Sequence, residues 1–202
     1  MLCVALAQTL ARADGAVCRI EGPAATNHWI ATTVAGGTFQ AAGLPEGTYT
    51  VCPRAPNTTW LSPCEWNFPT PIGTISRSNP NATVPISLKR GVAVPVRIAD
   101  PGQLMAANEG KTPGAGLFLC VRGPGLFFRR VPLLSTDSGG RNYQIVVPFN
   151  TALTLMIHPS FYQVVDANNI ALSQSASTQI PLLFSAGQQA PPITFTISGA
   201  GN

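Results

Sequence analysis

The chain has 202 residues, of which 45% are hydrophobic and only 10% are charged, and its formal net charge is +4. An ordinary soluble domain carries roughly 25% charged residues, so this composition, with 19 Gly and 19 Pro, favours an extracellular β-protein over a cytosolic enzyme. The basic residues are scattered, with Lys89-Arg90 and Arg129-Arg130 as the only adjacent pairs, which argues against a nucleic-acid-binding surface. No run reaches the roughly 18 apolar residues that suit a membrane span.

Short strand signals follow one another along the chain, separated by turns rich in Gly, Pro and Asn. Only residues 104–111 suit a helical turn or two, and no apolar helical period persists. The sequence therefore predicts an all-β fold of sandwich or barrel type. The predicted strands cover residues 16–20, 28–34, 38–42, 48–52, 72–75, 83–88, 91–98, 117–121, 126–133, 143–147, 153–158 and 193–197.

The clearest local signal is the stretch GGTFQAAGLPEGTYTVCP at residues 36–53. Two strand-like runs flank the segment GLPEG, in which Pro45 presets φ while Gly43 and Gly47 can adopt positive φ without steric cost. The β-branched and aromatic run after the turn suits a half-buried pleated surface. This pattern predicts a strand, a tight turn and a second strand, arranged as in a hairpin.

Five cysteines are present, without a CxxC pair, and the two histidines are far apart in sequence. This arrangement suggests neither zinc nor iron–sulfur ligation. Cys52 and Cys64 bracket a short loop and can form a disulfide in an oxidising compartment. The alternative is that all the cysteines are reduced and buried as small hydrophobic residues.

The loop after the second of these strands, residues 53–71, is proline-rich and without periodicity. Its Trp60, Trp66 and Phe68, together with Arg54, are the candidate ligand- or partner-binding residues, because exposed rings on a rigid loop can stack on a sugar or anchor a protein. The alternative, which we favour, is that the rings fold back and cap one end of a sandwich or fill a seam between two domains.

Nothing in the sequence indicates catalysis. The eight acidic residues are spread singly, so no pair resembles the two carboxylates of a glycosidase, and no GxSxG motif occurs. We therefore predict no enzyme activity, no catalytic residues, no cofactor and no metal. The oxygen-rich turns at residues 137–140 and 166–169 lack the ligand spacing of a known calcium loop, and ordinary turn chemistry is the simpler interpretation.

The stretch at residues 36–53 has an echo in the second half of the chain. Gly-Gly at 139–140 precedes Pro148 and Thr151 with the same spacing that separates Gly-Gly at 36–37 from Pro45 and Thr48. We interpret this as two copies of one β-unit with a boundary near residues 89–91. The predicted domains are residues 1–89 and residues 90–202.

The motif in GGTFQAAGLPEGTYTV resembles the carboxypeptidase regulatory-like domain, whose pattern combines Gly-x-Phe with Leu-Pro-x-Gly-x-Tyr. The resemblance implies a transthyretin-like, prealbumin-type sandwich of about seven antiparallel strands, without catalytic residues of its own. The family's Gly-x-Val-x-Asp signature is absent from residues 1–13, so we expect a truncated first strand or a natural start upstream of Met1. The second half resembles the family more loosely, through residues 136–140 and Tyr143.

These features predict a non-enzymatic, secreted or cell-surface protein of two Ig-like or transthyretin-like sandwich modules in tandem, acting in binding, adhesion or display. The first alternative is a structural subunit of an extracellular polymer, joined by strand complementation at an open sheet edge. The second is a carbohydrate-binding accessory module of an enzyme. The expected partners are proteins, including other copies of the chain, or surface glycans.

Overall fold

The computed structural model describes residues 2–6, 17–22, 29–33, 35, 38–54, 59–66, 68–113, 115–124, 128–173 and 177–201, with only the backbone given for several strands of the first half. The chain divides into two compact units, Met1–Gly91 (unit 1) and Val92–Asn202 (unit 2). Among the described residues, no helix is long and apolar enough to cross a membrane.

Sixteen strands and one short helix are formed by the described residues. The strands are β1 (Leu2–Leu6), β2 (Val17–Glu21), β3 (Trp29–Thr33), β4 (Thr38–Ala42), β5 (Gly47–Arg54), β6 (Trp60–Leu61), β7 (Ile72–Ile75), β8 (Lys89–Ala99), β9 (Phe118–Arg122), β10 (Phe128–Arg130), β11 (Leu133–Asp137), β12 (Gly140–Pro148), β13 (Leu153–His158), β14 (Tyr162–Asp166), β15 (Thr178–Leu182) and β16 (Ile193–Ala200), and the helix is α1 (Leu104–Asn108).

Unit 1 contains a four-stranded sheet in the order β3-β2-β5-β7 and a two-stranded sheet of β1 and β4. The pairs in these sheets are antiparallel. The core of unit 1 contains alternate side chains from both sheets, because residues two apart in a strand share a face. Alternate side chains of the extended segment at residues 82–88 complete it. The core residues are Ile20, Phe39, Ala41, Leu44, Tyr49, Val51, Ile75, Ala82, Val84, Ile86 and Leu88.

The predicted strand–turn–strand at residues 36–53 is correct in its elements and wrong in its pairing. β4 pairs with β1, whereas β5 pairs with β2 and β7, so the turn crosses from one sheet to the other instead of closing a hairpin. The reason lies in Leu44, which is 4% exposed and belongs to the core. Gly43 takes a φ of 75°, and the Tyr49 hydroxyl donates a 2.9 Å hydrogen bond to the Pro45 carbonyl.

The predicted strand at residues 83–88 is also wrong in one respect. These residues alternate between exposed and buried side chains as a strand does, but they form no ladder within the part of the chain that the structure describes. The chain becomes a paired strand only at Lys89 and Arg90, which lie opposite Leu61 and Trp60 of β6.

Unit 2 is built from two larger sheets. One has the order β11-β12-β8-β16-β14, and the other has the order β10-β9-β13-β15. The pairing of β16 with β8 is parallel, whereas β14 pairs antiparallel with the opposite edge of β16. The predicted strand at 126–133 is split between β10 and β11 by Val131, which is buried, and Pro132.

The four-stranded sheets of the two units have equivalent chain order, because β3-β2-β5-β7 corresponds position by position to β10-β9-β13-β15. In both units, the proline-containing turn singled out in the sequence joins strands that belong to different sheets. β4 and β5 flank the turn at Pro45, and β12 and β13 flank the turn after Pro148. The fold is therefore all-β, with two β-sandwich units that follow each other along the chain.

Candidate functional site

The candidate binding residues lie at the end of β5, on the loop that leaves β5 and on the short strand β6. A disulfide between Cys52 and Cys64 closes the base of this loop, with their Cα atoms 5.6 Å apart. Strand β6 is held by its pairing with Lys89 and Arg90. The N–H of Gly91 extends the ladder with a 2.8 Å hydrogen bond to the Thr59 carbonyl.

Two of the predicted aromatic side chains are each covered by a cation. Trp60 is partly buried against the core of unit 1, and the guanidinium carbon of Arg90 lies 4.9 Å from the centroid of its ring. Phe68 is half-buried, and the Lys89 ammonium lies 4.4 Å from its ring centroid. Both distances are within the range of cation–π attraction.

The other two candidate residues have different environments. Trp66 is only 6% exposed, so its ring supports the packing of the loop and offers no free face to a ligand. Arg54 lies in β5, opposite Val17, and its side chain falls outside the part of the chain that the structure describes.

The surface that results is positively charged. Lys89 and Arg90 are exposed, and neither forms a salt bridge to a carboxylate among the described residues. A cation held on a ring face keeps its outer side free for an anionic partner, whereas the ring face beneath it is closed to sugar stacking. We call Trp60, Phe68, Lys89 and Arg90 the cation–aromatic surface. Lys89 and Arg90 were missed as site residues, although they form one of two adjacent basic pairs in the sequence.

A cluster of polar side chains in unit 2 joins β8 to the hairpin of β11 and β12. The Arg97 guanidinium donates hydrogen bonds of 2.6 and 2.8 Å to the two carboxylate oxygens of Asp137 and one of 2.8 Å to the side-chain oxygen of Asn142. The bonds from Arg97 and from the Gly139 N–H hold the pKa of Asp137 well below its usual range. The same contact raises the pKa of Arg97.

A shallow cavity of about 300 Å³ lies beside this cluster. The carboxylates on or near this cavity already form hydrogen bonds or ion pairs with other groups of the chain. Asp100 is buried and accepts 2.8 Å hydrogen bonds from the N–H groups of Leu104 and Met105 at the start of α1. Glu109 pairs with Arg141, and this contact lowers the pKa of Glu109. Neither group is arranged as one member of a general acid–base pair.

In the two oxygen-rich turns, the aspartate carboxylates accept hydrogen bonds from backbone N–H groups of the same turn. Asp137 accepts a hydrogen bond from the Gly139 N–H, and Asp166 accepts hydrogen bonds from Asn168 and Ile170. These are the contacts of ordinary Asx turns. No group of three potential metal-ligating side chains occurs among the described residues.

Of the two histidines, His158 lies in β13, with a buried Nδ1 that has no hydrogen-bond partner among the described atoms. His28 lies outside the described residues.

No model of a known protein family matches the chain, and no curated protein matches it. Among solved structures it is similar to the Bacillus anthracis TIE protein, with 14% identity and a TM-score of 0.33, covering 97% of this chain and 33% of that one. The chain thus spans about a third of the length of the TIE protein.

Two other solved structures match over most of both chains. A DUF3823 family protein from Bacteroides ovatus has 12% identity and a TM-score of 0.34, covering 92% of this chain and 83% of that one. The shaft pilin SpaA from Lactobacillus rhamnosus GG has 10% identity and a TM-score of 0.33, covering 98% and 97%. Similarity at this level leaves the family of the chain unassigned.

Proposed function

We propose that this chain is a non-enzymatic, secreted or cell-surface protein that acts in adhesion, binding or display, with unit 1 a carboxypeptidase regulatory-like module. The observation that carries the proposal is the cation–aromatic surface on a disulfide-closed loop. In this arrangement, Lys89 and Arg90 are exposed and rest on Phe68 and Trp60.

The disulfide supports an extracellular location, because disulfides persist in oxidising compartments and are rare in the cytosol. The disulfide also restricts the conformations of the loop, so a partner that binds there does not have to order the whole loop. Ordering side chains and loops on binding costs affinity, and prior ordering reduces that cost.

The charge of the surface indicates the chemistry of the partner. Two exposed cations that have no carboxylate counterpart among the described residues attract anionic groups, so the partner is an acidic protein surface or an acidic glycan. The attraction of such exposed charges falls with added salt.

The test compares binding of the whole chain to immobilised acidic and neutral polysaccharides and to an acidic protein, at low and high salt. The double variant Lys89→Gln/Arg90→Gln is expected to lose roughly tenfold or more in affinity, equivalent to about 1.4 kcal/mol. The matched control is Lys111→Gln/Arg122→Gln, which removes the same charge from exposed positions of unit 2. Equal loss in both double variants, or no binding by the wild type to any of these probes, would contradict the proposal.

A second candidate function is favoured by a separate observation. Residues 83–88 are extended but form no ladder with other described residues, and an unpaired strand is a template for a strand of another chain. The chain would then be a structural subunit of an extracellular polymer. Light scattering over a wide concentration range tests this function, and a chain that stays monomeric throughout would exclude it.

A further inference from the structure

A cleft in unit 2 carries polar side chains that make no contact within the fold. It is the cavity of about 300 Å³ beside Asp137, between the turn that joins β11 to β12 and the segment that leads from β8 into α1. Gln103, Thr136 and Ser138 line it with exposed side chains. None of these three side chains forms a hydrogen bond to another described residue. We call them the free polar groups of the cleft.

The two walls of the cleft are fastened to each other. The Asp100 N–H donates a 2.8 Å hydrogen bond to the Gly139 carbonyl, and Gly140 lies so close to the end of β8 that an added Cβ would overlap its backbone. The Asp100 carboxylate also fixes the start of α1 by accepting hydrogen bonds from the N–H groups of Leu104 and Met105. A ligand that binds between these walls does not have to order them, and prior ordering favours affinity.

The charged groups around the cleft are neutralised within the chain. Both carboxylate oxygens of Asp137 accept hydrogen bonds from Arg97, and both carboxylate oxygens of Glu109 accept hydrogen bonds from Arg141. A charged ligand would have to compete with these pairs and would leave one partner without its counter-charge, which is costly for a partly buried group. The cleft therefore favours an uncharged ligand.

The free polar groups can each donate and accept hydrogen bonds. The hydroxyls of Thr136 and Ser138 and the amide of Gln103 combine N–H or O–H donors with acceptor oxygens. The hydroxyls of a sugar ring have the same double capacity, and its C–H groups can lie on the apolar part of the lining, which Met105 and Ala106 supply. A volume of about 300 Å³ is at the lower end of the range for small-molecule sites. The cleft therefore suits a single small ligand or the end of a glycan.

Gln103 has an uncommon backbone conformation at the edge of this cleft. Its φ is 53°, in the left-handed region that residues other than glycine, asparagine and aspartate rarely adopt. Glycine would adopt this conformation without steric cost, so the backbone alone does not call for glutamine. Strained residues of this kind occur at ligand sites, where the side chain has a use that offsets the strain.

We propose that this cleft binds a neutral sugar through hydrogen bonds between its hydroxyls and Gln103, Thr136 and Ser138. The site differs in chemistry from the cation–aromatic surface, which attracts anionic groups, and it gives unit 2 a binding function of its own. The inference goes beyond the proposed function, which rests on residues of unit 1.

Titrations of the whole chain followed by saturation-transfer NMR test the proposal, because this method detects weak binding. The probes are the methyl glycosides of glucose, galactose, mannose and N-acetylglucosamine, with the methyl glycoside of glucuronic acid as the acidic probe and cyclohexanol as the apolar one. We expect at least one neutral glycoside to bind more tightly than the acidic and apolar probes. The proposal is overturned if no neutral glycoside binds, or if either of the other probes binds as tightly.

Variants locate the binding in the cleft. Gln103→Gly and Thr136→Val each remove one hydrogen-bonding group and should weaken binding roughly three- to tenfold, the usual range for one hydrogen bond. Glycine keeps the backbone conformation and valine keeps the side-chain shape, so both variants should fold, which circular dichroism checks. Gln179→Ala is the matched control, since Gln179 is exposed on β15 in the other sheet. Equal binding by the control and both cleft variants would overturn the proposal. Loss of glycoside binding in Lys89→Gln/Arg90→Gln would do the same, because it would place the site in unit 1.

Discussion

At the scale of single residues, the pair of Arg97 and Asp137 in unit 2 is joined by two hydrogen bonds. Two hydrogen bonds from one guanidinium to one carboxylate fix the geometry as well as the charge. Both side chains remain partly exposed, so the pair contributes less to stability than a buried one. Its contribution depends on pH through the lowered pKa of Asp137.

Asp137→Asn is expected to reduce the amount by which the free energy of unfolding falls as the solution is made acidic. A carboxyl group whose pKa is lower in the folded state stabilises the fold above its unfolded pKa, about 3.9 for Asp, and this contribution is lost as the pH falls further. Denaturant unfolding of both proteins between about pH 6 and pH 2 should show the wild type more stable at the upper end and the two curves converging in acid. Because Glu109 also has a lowered pKa, only the difference between the curves is informative. Parallel curves would contradict the prediction.

At the scale of elements, the end of β8 and the start of β12 lie so close together that no side chain fits at Gly140. Gly140 has a φ of 139°, and a Cβ at this position would overlap the Ile98 carbonyl oxygen. The Asp100 N–H donates a 2.8 Å hydrogen bond to the Gly139 carbonyl at the same crossing. The glycine is therefore required both by backbone conformation and by contact between the elements.

Gly140→Ala is expected to destabilise the protein by about 3 kcal/mol or more, because it adds a clash with backbone to an unfavourable φ. Gly187→Ala is the matched control, since Gly187 has a φ of 81° but no atom within 4 Å of an added Cβ. It should cost only about 1 kcal/mol. Denaturant midpoints followed by circular dichroism measure both, and equal losses would show that the close approach of the strands is unimportant.

At the scale of the whole molecule, each unit has its own set of buried side chains and its own pair of sheets. The disulfide and all three tryptophans lie in unit 1, whereas Tyr143 and Tyr162 lie in unit 2. Tryptophan fluorescence therefore reports on unit 1 alone, and far-ultraviolet circular dichroism reports on both units.

Replacing both Cys52 and Cys64 by Ala should lower the stability measured by tryptophan fluorescence by about 3 kcal/mol, the loop-closure value for a ring of this size. The part of the circular dichroism transition that belongs to unit 2 should not move. Leu155→Ala provides the converse control, because Leu155 is fully buried in unit 2 and its truncation costs about 2–5 kcal/mol. If either variant shifts both signals equally, the chain unfolds as one cooperative unit.

Local patterns in the sequence predicted the all-β class and most strands, since alternation and turn residues act over a few positions. The pairing of strands could not be predicted in this way. Whether Leu44 points into a core depends on a second sheet, and whether residues 83–88 join a ladder depends on distant strands. The same limit applies to the candidate site, where the rings were found by their composition but Lys89 and Arg90 reach them through the pairing of β6 with β8. The domain assignment at residues 89 and 90 stays a prediction.

The parallel pairing of β8 with β16 has a mechanical consequence. These are the first and last strands of unit 2, and they lie side by side with Ile193 opposite Val96 and Thr196 opposite Ala99. Because the strands run in the same direction, a pull on the two ends of the unit slides one strand along the other. Their interstrand hydrogen bonds then carry the load together instead of opening one after another. Unit 2 is therefore expected to resist tension that is applied along the chain.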